Sequence, residues 1–370
     1  MDIYDRLGVR KYINSYGFVT SLGGSRMAPE AYEAMAEAGR CFVKLEELLD
    51  RAGAHIAQLV GVEACCICSG AAGGVVQSAA ACLTGVDGDR VRRLPMTEGW
   101  KNEIIARASG LGNYLTQGMR ATGAHIVQVG SSGSLTAEDV AGAIGEKTAA
   151  VQIFLKDEAP TVAEIAAVTR PVGVPLIVDA AAELPPRRNL TQPLADGANL
   201  VVFSGGKGIC GPQATGLILG DADLIAACRL NGNPVSSIAR AMKVGKEDIA
   251  ALVVALERFV AIDEEEETVE LGRRSDFIVA ALEGVGGVAA EKRMADPRTR
   301  PVVPRVYIEL APDFPLGGDR IAEILKAGSP AVSLSGSDRG LRVDVVQLEE
   351  WELETVARCL REVLVNPPER

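Results

Sequence analysis

The stretch Ala198–Gly211, ANLVVFSGGKGICG, decides how this chain is read. A buried strand, Leu200 to Phe203, runs into Ser204, two glycines and then Lys207. A lysine straight after a buried strand, inside a glycine-rich turn, is costly to desolvate unless it is used. Burial also lowers the pKa of an ammonium group and so makes the amine nucleophilic. The plain alternative is a lysine on a surface loop. A phosphate-cradling P-loop fails on spacing, because Val201 stands where the first glycine belongs and Gly208 replaces the Ser or Thr.

Two upstream segments have the same form of a strand ending in a special residue. In PLIVDAAAE (175–183), four apolar residues deliver Asp179 to a strand end. A carboxylate there is expensive unless it meets a positive partner, and it could serve as a magnesium ligand, a helix cap or a base. In CSGAAGG (68–74), a strand turns into a helix through Ser69 and Gly70, and the free N–H groups of such a helix start suit a phosphate.

Further outward the chain alternates. Ala64 to Cys68, His125 to Val129, Ala149 to Leu155, Leu176 to Val178, Leu200 to Phe203 and Gly216 to Leu219 read as short buried strands, with helical patterns such as Gly70 to Leu83 and Val162 to Val168 between them. Continuous apolar runs separated by helices indicate an α/β domain with a mostly parallel sheet, covered on both faces. Before it come an irregular arm (1–26), a helix from Pro29 to about Arg40 and a helix from Lys44 to Val60 whose leucines, Ala52 and Ile56 make one stripe. A long helix, Lys243 to Ile262, leads out of this large domain (27–262). A smaller C-terminal α/β domain (263–370) follows, with strands at Arg305 to Leu310, near Ala331 to Leu334 and near Leu341 to Val346, and a final helix to about Val365. The acidic block Glu264 to Glu267 belongs on a solvated helix face.

Composition excludes several classes. With 370 residues, a prior of about 150 per domain gives roughly two to three domains. Hydrophobic residues are 48% and charged residues 24%, which excludes a disordered chain. A formal net charge of -11 disfavours general binding to nucleic-acid phosphates. No apolar run approaches the roughly 18 residues of a membrane span. The start, Met1-Asp2, lacks the basic and apolar parts of a secretory signal, so the expected location is the cytoplasm. The eight cysteines are then buried thiols. Cys65, Cys66 and Cys68 read as small residues inside a strand, and no metal is expected, because a zinc site needs further ligands and the chain has only two histidines. His55 and His125 read as structural.

Lys207, Asp179 and the Ser69 helix start together suggest one cofactor, pyridoxal 5′-phosphate (PLP). It needs a lysine for a Schiff base, an acid against its pyridine nitrogen and an anion site for its phosphate. The order strand, Asp, strand, Lys also suits a doubly wound sheet with its site at the carboxyl ends of the strands.

At these motifs the sequence resembles the fold-type I PLP enzymes, in the group of selenocysteine synthase and D-glucosaminate-6-phosphate ammonia-lyase. The matching stretches are YINSYGFVTSLG (12–23), VEACCICSGAAGG (62–74), PLIVDAAAE (175–183), ANLVVFSGGKGICGP (198–212) and IARAMKVGKEDI (238–249). The last two lie closer to the ammonia-lyase branch. The resemblance implies the PLP-dependent transferase fold, with a mostly parallel sheet of the seven-stranded type plus the smaller domain. It implies Lys207 as the Schiff-base lysine and Asp179 as the pyridinium partner. Ser69, Gly70, Ala71 and the Ser204 hydroxyl would hold the phosphate, and Ala181 would pack under the ring. Arg240, in the IARAMK motif, would bind an anionic group of substrate or cofactor; a structural ion pair is the alternative. Arg342, in GLRVDVV, would grip the substrate α-carboxylate through its planar fork.

The expected activity is that of a lyase acting at the α-carbon of an amino acid or amino-sugar acid, by α,β-elimination with release of ammonia and a 2-oxo acid. A racemase or epimerase uses the same deprotonation and is the alternative enzyme. A non-catalytic PLP- or nucleotide-binding regulator is the alternative of another class. The chain departs from its relatives in NEIIARASGLGNYLTQG (102–118), where many carry a histidine or aromatic ring over the cofactor. Here Asn113 and Tyr114 are the nearest polar and aromatic candidates. Selenocysteine synthase carries an extra N-terminal tRNA-binding domain; this acidic chain begins at the arm, which argues against tRNA-dependent chemistry. The expected partners are a small-molecule substrate and a second copy of the chain, in a homodimer or higher homo-oligomer to which the arm and Arg240 contribute.

Overall fold

The structure, a computed structural model, describes residues 2–108, 113–131, 134–155, 160–295 and 301–368. The described residues form two compact units. One is residues 26–261 together with residue 301; the other joins residues 2–25 to residues 262–295 and 302–368.

The larger unit is built on β2 (Ala64–Cys68), β3 (Glu103–Arg107), β4 (His125–Val129), β5 (Thr148–Phe154), β6 (Leu176–Asp179), β7 (Leu200–Ser204) and β8 (Gly216–Gly220). The smaller unit carries β1 (Ile13–Asn14), β9 (Val288–Met294), β10 (Pro304–Leu310), β11 (Val332–Ser333), β12 (Ser335–Ser337) and β13 (Gly340–Val343). The large sheet has the order β2-β8-β7-β6-β5-β3-β4. Strands β4, β3, β5, β6 and β7 run parallel, and β8 runs antiparallel to both β7 and β2.

The strands form where the apolar runs are continuous. Along β7, Val201 and Phe203 pack into the layer on one face, while Leu200 and Val202 pack into the layer on the other. That two-residue alternation is what a strand buried on both faces requires. The helix Leu45–Val60 presents Leu49, Ala52 and Ile56 to the first layer, and Gly53 brings its backbone against the carbonyl of Cys65. The helix Gly70–Thr84 is buried along most of its length in the second layer. Cys65, Cys66 and Cys68 sit inside β2, and burial raises their thiol pKa values, that of Cys66 to about 12. They therefore remain protonated and unreactive at neutral pH.

Strand β3 is absent from the sequence reading. It lies between β5 and β4, with Ile104, Ile105 and Ala106 buried. It is short and ends in Glu103 and Arg107, so its apolar run is too brief to stand out.

In the smaller unit, an antiparallel sheet of order β12-β13-β10-β9 turns Val306, Ile308, Leu341 and Val343 toward a core shared with the helices Glu264–Ala281, Gly318–Ala327 and Glu350–Val365. The acidic block forms the first turn of the helix Glu264–Ala281, capped by Asp263, where negative charge complements the helix dipole. The arm is less irregular than its composition implies. β1 pairs in parallel with β11, and the Ser15 carbonyl accepts from the Asp344 N–H at 2.9 Å. Gly17, at φ +103°, lies so close to Asp344 that a Cβ there would stand 2.8 Å from its Oδ2. The same carboxylate oxygen accepts from Arg305 Nε at 2.8 Å, in an ion pair with both residues almost wholly buried. Among the described residues no helix is long and apolar enough to cross a membrane.

Gly74 is where the helix Gly70–Thr84 meets the sheet. A Cβ there would lie 2.6 Å from Val202 Cγ1 and 2.8 Å from Cys68 Sγ. Alanine at an unobstructed helical position would stabilise by up to about 1 kcal/mol. Here overpacking wins, and Gly74→Ala is expected to destabilise by about 1–3 kcal/mol, read as a lower Tm or denaturant midpoint.

Candidate active site

The sheet register collects the sequence-marked residues of the larger unit at one edge. Asp179 ends β6 beside Phe154 of β5, and the next strand, β7, ends in Ser204 and leads into the Lys207 turn. Because β8 is antiparallel, its first residue, Gly216, pairs with both Ser204 and Cys68. The end of β2, and with it Ser69, Gly70 and Ala71, is thereby brought to the same edge as Lys207. This is the carboxyl end of the parallel strands, where α/β sheets bind ligands.

Local sequence explains each placement. The turn 205–211 is closed by the Cys210 N–H to the Lys207 carbonyl and the Gly211 N–H to the Gly205 carbonyl, both at 2.8 Å. A Cβ on Gly208 would collide with the Leu184 carbonyl, so glycine is required beside the lysine. Lys207 itself is half-buried. Asp179 is 5% exposed, and its Oδ1 accepts from the Ala181 N–H at 2.9 Å, which fixes the carboxylate and seats Ala181 beside it. Of the three alternatives for this aspartate, it caps no regular helix.

At the start of the helix Gly70–Thr84, Ser69 makes no side-chain cap. Gly70 has φ +62°, and open space lies where its Cβ would project. A side chain at position 70 would project into the open space beside this helix start. Such a helix start suits a phosphate, and the buried acid and the turn lysine supply the other two groups PLP needs. The residues fit the cofactor.

Arg240 is exposed and forms no ion pair among the described residues. Its segment follows Asn231, whose Nδ2 donates to Thr84 Oγ1 at 2.8 Å, and includes Met242, whose sulfur lies near Gly73. It is therefore laid along the same helix. Arg342 is on β13 of the smaller unit. His55 pairs with Glu257 at 2.7 Å, and His125 opens β4.

The segment 102–118 is described apart from residues 109–112, which lie outside the described residues. Asn113 is a helix cap, its side chain accepting from the Leu115 N–H at 2.9 Å. Tyr114 is 63% exposed. Its hydroxyl pKa is raised by partial burial and by the negative charge of Asp179, so the phenol and the carboxylate share one neighbourhood. Sequence reasoning missed Arg107, at the end of β3, whose guanidinium lies over the Phe154 ring at 5.4 Å to the centroid. The available signal was an arginine closing the short apolar run Ile104–Ala106.

The family model described as L-seryl-tRNA selenium transferase matches residues 12–274. This chain belongs to that family. It is 33% identical over 378 residues to the 5′-C-glycyluridine monooxygenase-decarboxylase of Streptomyces sp, covering 98% of this chain and 92% of that protein. It is 36% identical over 267 residues to the D-glucosaminate-6-phosphate ammonia lyase of Salmonella typhimurium, covering 70% of each. A solved structure of a D-glucosaminate-6-phosphate ammonia-lyase superposes with a TM-score of 0.84 at 30% identity, covering 98% of both chains. Serine palmitoyltransferase from S. paucimobilis, solved with PLP bound, shares the fold at a TM-score of 0.58 and 13% identity, over 94% of this chain and 86% of that one. The chain is a PLP-dependent enzyme of fold type I.

The Tyr114–Asp179 coupling can be measured. Removing the charge with Asp179→Asn is expected to lower the Tyr114 pKa, while burial keeps it above the ordinary phenol value. NMR titration of the cofactor-free protein, with Tyr114→Phe assigning the resonance, reads the shift. An unchanged titration would separate the two groups.

Proposed function

We propose that the enzyme is a lyase that acts at the α-carbon of an amino acid or amino-sugar acid, by α,β-elimination, releasing ammonia and a 2-oxo acid. The observation that carries this reading is the convergence of Lys207, Asp179 and the Ser69 helix start on one sheet edge in a chain whose backbone follows that of an ammonia-lyase over 98% of its length.

When bound, PLP supplies an electron sink for the pair released when Cα–H is broken. Asp179, buried and already oriented by the Ala181 N–H, would hold a proton on the pyridine nitrogen. The Ser69, Gly70 and Ala71 helix start and the Ser204 hydroxyl would hold the phosphate. The Lys207 amine would hold the cofactor's aldehyde and would be the base for the Cα proton. Ala181 would pack against one ring face, and the exposed Tyr114 ring is the aromatic candidate for the other. Arg240 and Arg342 would bind anionic groups of the substrate. Overall, a substrate with a leaving group at Cβ loses that group and the Cα proton, and hydrolysis then frees ammonia.

One observation favours a second reading. The relative matched over 98% of this chain is a monooxygenase-decarboxylase. On that reading the substrate consumes oxygen and releases carbon dioxide. A racemase would instead bring the optical rotation of a single enantiomer toward zero, with neither ammonia release nor oxygen uptake.

A dimer is proposed on the large unit's helical face. A groove of about 530 Å³ is lined by Ala34, Ala38, Leu48, Ala52, Ile249 and Val253, and Phe42 beside it is wholly exposed. Phe42→Ser is expected to weaken self-association, read by light scattering over a concentration series.

Lys207→Ala is expected to abolish the visible absorbance of the lysine-bound cofactor and to lower turnover by at least roughly 10²–10⁴-fold, and Asp179→Asn to lower turnover with the colour retained. The assay follows ammonia, 2-oxo acid, oxygen uptake and optical rotation with D- and L-amino acids and amino-sugar acids. Full turnover by Lys207→Ala would overturn the reading.

A further inference from the structure

The start of the helix Tyr114–Ala121 belongs to the same sheet edge as Lys207. This helix joins β3 to β4, which run parallel, so it returns from the carboxyl end of one strand to the amino end of the other. Tyr114 is therefore at the carboxyl end, as Ser69 is. Asn113 fixes this start by accepting from the Leu115 N–H. Gly118, one turn later on the same helix face, brings two helices together: a Cβ there would stand 2.7 Å from Val76 Cγ2 of the helix Gly70–Thr84. Side chains lean toward the amino end of their helix, so the Tyr114 phenol is carried past the first turn and out to that edge.

The phenol is uncommitted. Tyr114 is mostly exposed, and its hydroxyl has no hydrogen-bond partner among the described residues. The Asp179 charge and partial burial keep the proton on it. The other groups that could give a proton here are engaged or remote. Asp179 and Lys207 are assigned above to the cofactor, and Ser69 and Ser204 to its phosphate. Arg107 is held over Phe154, and a guanidinium does not release its proton. His125 opens β4, at the amino end of the parallel strands, and His55 pairs with Glu257. A donor matters most when the group leaving Cβ is a hydroxyl. Hydroxide leaves poorly because water has a pKa of about 15.7, and a phenol, ordinarily near about 10, can still give it a proton when its own pKa is raised. Chloride needs no such help.

We propose that Tyr114 is the catalytic acid that protonates a hydroxyl leaving from the substrate's Cβ. The inference rests on the elimination proposed above and narrows its substrates to β-hydroxy amino acids and amino-sugar acids. Overall, the Cα–H electron pair becomes the second Cα–Cβ bond as Lys207 takes the proton. The Cβ–O pair leaves with the oxygen, which takes the Tyr114 proton and departs as water. The phenolate recovers a proton from solvent, to which it is open. Phenylalanine at this position keeps the ring and loses only the donor.

Serine and β-chloroalanine differ only in the leaving group, and 2-amino-2-deoxygluconate carries a β-hydroxyl on an amino-sugar acid. Ammonia release by the holoenzyme is measured on all three, in D- and L-forms, for the wild type and Tyr114→Phe. The variant is expected to lower kcat/KM on whichever hydroxyl substrate is turned over by roughly 10²–10⁴-fold, with the loss on β-chloroalanine smaller by a factor of at least about ten. Binding gives a readout without turnover. α-Methylserine and 2-aminoisobutyrate both lack a Cα–H, and only the first has the hydroxyl. Calorimetry of the wild-type holoenzyme is expected to show a roughly three- to tenfold preference for α-methylserine, and Tyr114→Phe to abolish it. Equal losses on hydroxyl and chloride substrates would overturn the proposal. So would a wild type that eliminates chloride but turns over no hydroxyl substrate, or a binding preference that is absent from the wild type or survives in Tyr114→Phe. Failure of the elimination reading shows instead as a wild type that releases ammonia from none of the three, which removes the proposal with it, so the two failures are distinguishable.

Discussion

The removal of one carboxylate from water organises the larger unit. Asp179 ends a strand flanked by β5 and β7 and is almost without solvent. A charge in that position is tolerated only where fixed dipoles and a cation replace the water it has lost. The Ala181 N–H supplies one such dipole. A protonated pyridine nitrogen is the cation that a cofactor of this kind brings. The parallel strands, the glycine-rich turns and the antiparallel β8 bring the Lys207 turn and the Ser69 helix start to the same sheet edge as that charge.

Much of this was legible because burial on both faces leaves a plain trace. The runs at 64–68, 176–178, 200–203 and 216–219 have few polar residues, and each became a strand within a residue of its expected limits. Asp179 and Lys207 stood out because each follows such a run. β3 was lost because five residues ending in Glu103 and Arg107 look like a loop. β9 was lost for the opposite reason. Val288–Met294 includes Glu291, Lys292 and Arg293, and lies at the edge of a sheet with one face open, so its composition is that of a surface. The arm's pairing with β11 was illegible because two residues make no periodicity; only its neighbour across the sheet gives it order.

At the site, a single sequence could nominate residue types but not their neighbours. Asn113 and Tyr114 are adjacent in the chain, yet one caps a helix and the other shares its surroundings with Asp179. Arg107 acquires meaning only when the register sets β3 next to β5 and lays it over Phe154. Arg342 was marked by motif alone, and its serine and tyrosine neighbours became visible only through cross-strand pairing.

The way β1 joins β11 also bears on synthesis. Residues 26–261, nearly all of the larger unit, are contiguous, so that stretch can assemble before the smaller unit is complete. The other unit cannot, because Ile13 and Asn14 must wait for Val332 and Ser333, more than three hundred residues later. The opening segment is made first and docks last, which makes the nascent chain dependent on its final portion to bury the Arg305–Asp344 pair.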